Sequence, residues 1–127
     1  LKLSYEEAIL FFENDNPSLI SQSLSKKPDV IITNGDKPIS WFINGIKDIT
    51  EVIQSPEVVD TTGAGDSFLA GLISRFLNHK GGLDKKSLNN NIQFASTCGL
   101  ISCLGEGAIE PQPNIQKVQD FLKSHGL

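Results

Sequence analysis

The chain has 127 residues, a formal net charge of −4, 39% hydrophobic and 20% charged residues, which is the make-up of one soluble globular domain or a piece of a larger one. Its basic residues are ten scattered lysines and the lone Arg75; no basic stripe or nucleic-acid motif forms, so a nucleic-acid partner is not expected. No apolar run is long enough to span a bilayer, so no membrane partner is expected either.

The opening residues, LKLSYEEAILFF, lack the basic region, long apolar core and cleavage site of a secretory leader. The sequence has no methionine at all and reads as starting inside a longer protein. Ser4 to Glu13 reads as a helix, with Ser4 and Glu7 spaced as a capping box. PSLISQSLSKK (17–27) reads as a second, shorter helix, with Pro17 in its first turn and Pro28 as its stop. DVIIT (29–33) is a continuous β-branched run, the pattern of a strand buried on both faces. NGDKP (34–38) is a turn. ISWFI (39–43) and IKDIT (46–50) are strands joined at Asn44-Gly45, a strong hairpin signal. Trp41 and Phe42 in that hairpin read as packing residues.

Residues 51–62 look extended and irregular. A helix is expected from Gly63 to about Asn78, with Phe68, Leu69, Leu72, Ile73, Phe76 and Leu77 as one apolar stripe. HKGG (79–82) ends it. A long helix over 84–104 ends at Gly105, GEGAIEPQP (105–113) is a loop, and Asn114 caps a last helix through Ser124. His79 and His125 fall near helix ends, where a histidine complements the dipole. Cys98 and Cys103 lie in one expected helix; at about 100° per residue they face different sides. They read as small buried thiols of a reducing cytoplasm, not as a disulfide or zinc site. Helices flanking a buried strand give the class α/β. About three strands are too few for a covered parallel sheet, so the chain reads as the C-terminal part of a larger α/β enzyme.

The chemistry concentrates in VVDTTGAGDSFLAGLI (58–73). The first N–H groups of a helix have no partner within it, and the dipole adds partial positive charge there. Gly63, Ala64 and Gly65 present almost no side chain, so their amides can surround a phosphate. Asp66 would repel that phosphate unless a hydroxyl lies between them. A base that takes the hydroxyl proton, beside amides that stabilise a transferring phosphoryl group, fits that pattern. An aspartate in a first helical turn also suits the dipole without any catalysis, and glycines close turns everywhere. The segment is neither a Walker A loop nor a dinucleotide fingerprint. Asp60 is the second carboxylate, and it equally suits a turn cap.

DTTGAGDSFLAGL resembles the C-terminal signature of the ribokinase-like (PfkB) carbohydrate kinases, D-T-x-G-A-G-D followed by a helix, with every fixed position matched. Two further stretches resemble the same family in order and spacing. KLSYEEA (2–8) is similar to its N-x-x-E motif, with Ser4 for Asn as in the fructokinase-like K-x-S-x-x-E. IITNGDKP (31–38) is similar to T-x-G-x-x-G: Thr33 and Gly35 match, while Pro38 replaces the second glycine and removes its amide. FASTCGLISCLGEGAIEP (94–111) resembles the last nucleotide-contacting helix and loop.

The resemblance implies the C-terminal portion of a three-layer α/β/α ribokinase-like fold with an incomplete sheet. Residues 1–127 would be its nucleotide-binding and catalytic part, without the N-terminal sugar-binding part and lid. The implied activity is transfer of the γ-phosphate of ATP to a sugar hydroxyl. A fructokinase-like acceptor is preferred over a sugar acid such as 2-keto-3-deoxygluconate or a nucleoside. Asp66 would be the general base, with the amides of Gly63, Ala64, Gly65 and Asp66 as anion hole. Thr33, Asn34, Gly35 and Ser96, with Gly65 and Asp66, would meet the nucleotide. Glu7 would organise Mg²⁺ through water. Asp60, Thr62, Ser102, Gly105 and Gly107 would hold K⁺. Partners would be the sugar and ATP, with a homodimer formed through the absent lid. The isolated 127-residue chain is expected to be inactive. The other reading, a non-catalytic nucleotide-binding truncate, leaves Asp66 without a purpose and a long open strand edge beside 29–33.

Overall fold

Leu3, Val30 and Ile32 are buried side by side in a small mixed sheet. The computed structural model describes residues 1–55, 58, 61, 63–104 and 114–126. They divide into two units, Leu1–Val52 with Leu83–Asn89, and Ile53–Gly82 with Asn90–Leu127.

In the first unit four strands lie in chain order: β1 (Lys2–Ser4), β2 (Val30–Asn34), β3 (Lys37–Ile43) and β4 (Ile46–Thr50). β1 runs parallel to β2, and β2–β3 and β3–β4 are antiparallel. Val30, Ile31 and Ile32 are all buried, as a strand covered on both faces should be. The described residues hold four strands where about three were expected. β1 supplies the difference and pairs with β2, so β2 is an inner strand of this sheet and β1 and β4 are its edges. The 34–38 turn is also tighter than expected. Only Gly35 and Asp36 turn, Gly35 with φ +59°, while Lys37 already pairs with Asn34 and Pro38 lies within β3. The Asn44-Gly45 turn has φ of 52° and 76°, the left-handed pair a tight hairpin needs.

One face of the sheet carries α1 (Tyr5–Phe12) and α2 (Pro17–Ser23), which bury Leu3, Ala8, Ile20, Val30 and Ile32, with Phe12 and Leu24 packed against them. α2 stops at Ser23, well before Pro28. Leu24 is extended, and the Ser23 hydroxyl donates to the Ile20 carbonyl, the side-chain competition that makes serine-rich segments poor helices. On the other face Trp41 is fully buried and its indole N–H donates to Thr50 Oγ1. The N-terminal part of α4 (Lys85–Ser102) completes this network: Thr50 donates to Asn89 Oδ1, and Asn89 Nδ2 donates to Asp48.

The second unit contains α3 (Ala64–Leu77), residues 90–102 of α4, and α5 (Ile115–Ser124). Phe94, Cys98, Ile101 and Val118 form its core, with Phe121 and Leu122 against it. Asn114 caps α5 by accepting from the Lys117 N–H. The apolar stripe of α3 is narrower than the sequence suggests: Phe68 and Leu72 are buried, but Leu69, Ile73 and Leu77 are exposed. Among the described residues no helix is long and apolar enough to cross a membrane.

Candidate functional site

The site residues expected from sequence fall in both units, and each group has its own local cause. In the first unit Ser4 and Thr33 are register partners at the carboxyl ends of parallel β1 and β2, where α/β sheets commonly bind ligands. The Thr33 hydroxyl crosses to the Leu3 carbonyl at 3.4 Å. Beside them Ser4 Oγ accepts from the Glu7 N–H at 3.1 Å, and a Glu7 carboxylate oxygen accepts from the Ser4 N–H at 2.7 Å. The Ser4 N–H bond holds the Glu7 carboxyl below the usual carboxylate range, against desolvation and with help from Lys2. Glu7 is exposed, so an ionised hard-oxygen donor faces outward at this strand end. Among the described residues no three His, Cys, Asp or Glu side chains gather as a metal cage.

The cap makes a pH prediction. A carboxyl with a depressed folded pKa contributes stability above its unfolded pKa and loses it as pH falls through the folded value. Stability that Glu7 lends to α1 should fade on acidification below about pH 4. In Glu7→Gln that part of the stability–pH curve should flatten. Ser4→Ala removes the reciprocal bond and should cost about 1 kcal/mol in urea unfolding.

Asn34 follows Thr33 and lines an open cleft of about 340 Å³ with Tyr5, Asn16, Pro38, Ser40 and Lys47. Gly35 adopts its positive φ in open space, with nothing within 4 Å of where a Cβ would be. It serves the turn, and its bare surface leaves the approach to the turn clear.

In the second unit Gly63 is the N-cap of α3, with φ +81° and no side-chain cap bond. The positive φ explains the glycine. The Ala64 N–H donates to the Thr61 carbonyl at 3.2 Å, and the Ser67 N–H donates to the Gly63 carbonyl at 2.9 Å. Between them Gly65 and Asp66 are exposed, in a first turn whose amides have no intrahelical acceptor. Asp66 thus stands at the open end of a helix dipole. Ser96 is half-buried on α4, three residues before Gly99, and a Cβ on Gly99 would meet the Ala64 carbonyl oxygen. Ser102 is buried and its hydroxyl donates to the Gly99 carbonyl. Asp60, Thr62, Gly105 and Gly107, the other expected K⁺ ligands, lie outside the described residues. Neither cysteine is in a disulfide and both are buried, and burial pushes the Cys98 thiol up to about 11, far from a nucleophile's range.

A parallel strand pair with polar motifs at its carboxyl end, and a glycine-led helix start, define an α/β protein of ribokinase-like fold. The fold likeness is direct: fructokinase with bound ATP from Xylella fastidiosa superposes with a TM-score of 0.84 over 99% of this chain and 42% of its own, at 20% identity. The family pattern described as pfkB family carbohydrate kinase matches residues 2–115. The chain belongs to the pfkB family of carbohydrate kinases. An uncharacterized sugar kinase of Dictyostelium discoideum is 46% identical over 71 residues, 56% of this chain and 19% of that protein. Fructokinase-1 of Oryza sativa subsp. japonica is 34% identical over 98 residues, 75% of this chain and 29% of its own length. The chain thus spans between about a fifth and a third of the length of these two relatives.

Proposed function

We propose that residues 1–127 are the nucleotide-binding and catalytic part of an ATP-dependent sugar kinase, with fructose the preferred acceptor. The observation that carries this reading is Asp66, exposed in the uncapped first turn of α3 and set in the family's D-T-x-G-A-G-D signature. The fructokinase name of the rice relative supports the acceptor.

In this reading Asp66 takes the proton of the acceptor hydroxyl. The hydroxyl oxygen bonds to the γ-phosphorus as the bond from that phosphorus to the bridging oxygen breaks, and ADP leaves with the electron pair. The N–H groups of Gly65 and Asp66 face charge gathering on the transferring group, where preorganised donors act most strongly. The Ala64 N–H is already given to Thr61, so it has the smaller share. Mg²⁺, when bound, would neutralise phosphate charge, and Glu7 would meet it through water. Thr33, Asn34 and Gly35, and separately Ser96, are the residues assigned to the nucleotide in this reading.

The test is ADP release with Mg-ATP and K⁺ against fructose, ribose, 2-keto-3-deoxygluconate and adenosine. It would be run on the 127-residue chain and on the chain with any native flanking sequence. Turnover of fructose by the longer form alone is the expected result. A longer form that folds and binds ATP but releases no ADP with any acceptor would turn the reading to a binding module.

A further inference from the structure

Two glycines line the seam of α3 and α4, one on each helix. A Cβ on Gly71 would stand 2.7 Å from Cys98 Sγ, 3.1 Å from Cys98 Cβ and 3.3 Å from Ala95 Cα. A Cβ on Gly99 would stand 3.0 Å from the Ala64 carbonyl oxygen and 3.7 Å from Phe68 Cβ. The two contacts differ in kind. Gly71 meets mostly a side chain, in the middle of α3. Gly99 meets the backbone of Ala64, the first residue of α3, immediately before Gly65 and Asp66. No rotamer change can relieve that approach.

The α4 side of this contact is itself fixed. The buried Ser102 hydroxyl and Cys103 thiol both donate to the Gly99 carbonyl, at 2.7 and 3.2 Å. The Cys103 N–H has turned to Leu100 instead, as the helix tightens at its end. The other side of the α3 start has no side-chain cap. The Ala64 N–H is tied back to the Thr61 carbonyl, and the close approach of Gly99 to the Ala64 carbonyl oxygen is a second determinant of where the first turn sits.

We propose that Gly99 is a positioning residue for phosphoryl transfer: its bare Cα sets where the first turn of α3 sits, and so where the Asp66 carboxylate and its neighbouring amides meet substrate. The inference rests on the kinase reading above.

The test is Gly99→Ala in the chain with any native flanking sequence. The new methyl must push the Ala64 carbonyl by a few tenths of an ångström. A misplacement of 1 Å costs about 100-fold in rate, so this smaller one should lower kcat about 10-fold. KM values for ATP and fructose should stay within about 2-fold, because the loss falls on the transition state. The melting temperature should barely move, since alanine's better helix propensity works against the crowding. Gly71→Ala is the control. It should lower the melting temperature and leave kcat unchanged where the protein stays folded, and adding Cys98→Gly should restore the melting temperature.

Unchanged kcat in Gly99→Ala, or an equal kcat loss in Gly71→Ala, would overturn the proposal. Amide spectra separate it from the kinase reading. If the wild type turns over no sugar, that reading fails, yet the Gly65 and Asp66 resonances should still shift in Gly99→Ala and stay put in Gly71→Ala. Resonances of Gly65 and Asp66 that do not move in Gly99→Ala would sink the positioning role on their own.

Discussion

Asp66→Asn should lower kcat about 1,000-fold, inside the 10²–10⁴-fold that a positioned general base supplies. The substitution keeps the shape and removes only the proton acceptor. Asp66 is exposed and has no ion pair or side-chain hydrogen bond with another described residue. The fold loses little more than a favourable charge at a helix N-terminus, worth about 0.3–1 kcal/mol. The melting temperature should hardly change, and ATP affinity, measured by calorimetry, should hold or rise as a like charge near the phosphates disappears. Loss of rate with intact nucleotide binding is what separates a base from a cap. A variant that keeps near-normal turnover would move proton transfer elsewhere, with Asp60 the next carboxylate to test by the same substitution.

Much of this site is legible because it is built from local devices. A serine and a glutamate three apart specify a capping box whatever lies around them, and the box is there at Ser4 and Glu7. Asn-Gly between β-branched runs specifies a left-handed turn, and φ is positive at both residues. Three β-branched residues in a row, 30–32, specify burial on both faces, and all three are buried. What escaped is what depends on partners distant in sequence. β1 is three residues long with Lys2 and Ser4 at its ends, too short to show any period, and it exists because Leu3 pairs with Ile32 across the sheet. Periodicity shows which residues of α3 share a face but not how much of that face a neighbour covers; Leu77 is 80% exposed. Gly99 carried no signal of its own. A glycine inside a helix hints at close packing, but only the meeting of α4 with Ala64 says against what.

Trp41→Ala should cost about 3–5 kcal/mol, the range for emptying a large aromatic site in a core. Total stabilities are about 5–15 kcal/mol, so this one change takes a large share of the margin. Trp41 is wholly buried and is the only tryptophan, so no neighbouring indole can replace its bulk. It also begins a directional chain of bonds: the indole donates to Thr50 at 2.9 Å, Thr50 donates to Asn89 at 2.5 Å, and Asn89 donates to Asp48 at 2.9 Å. The Asn89 bond, followed by the Ile49 N–H, holds the Asp48 carboxyl below its ordinary range, with Lys85 nearby at 3.4 Å. The order of effects follows from what each change leaves behind. Thr50→Val keeps the volume but strands the indole N–H without an acceptor, at about 1–3 kcal/mol. Trp41→Ala adds a cavity to the broken chain and should exceed it. Urea unfolding of both variants checks the order, with constant slope marking a change in stability alone. In Thr50→Val the sole indole reports directly, because its emission should shift if water reaches the stranded N–H. If Thr50→Val instead proved as costly as Trp41→Ala, the hydrogen-bond chain and not the indole's bulk would be what joins the hairpin to Asn89.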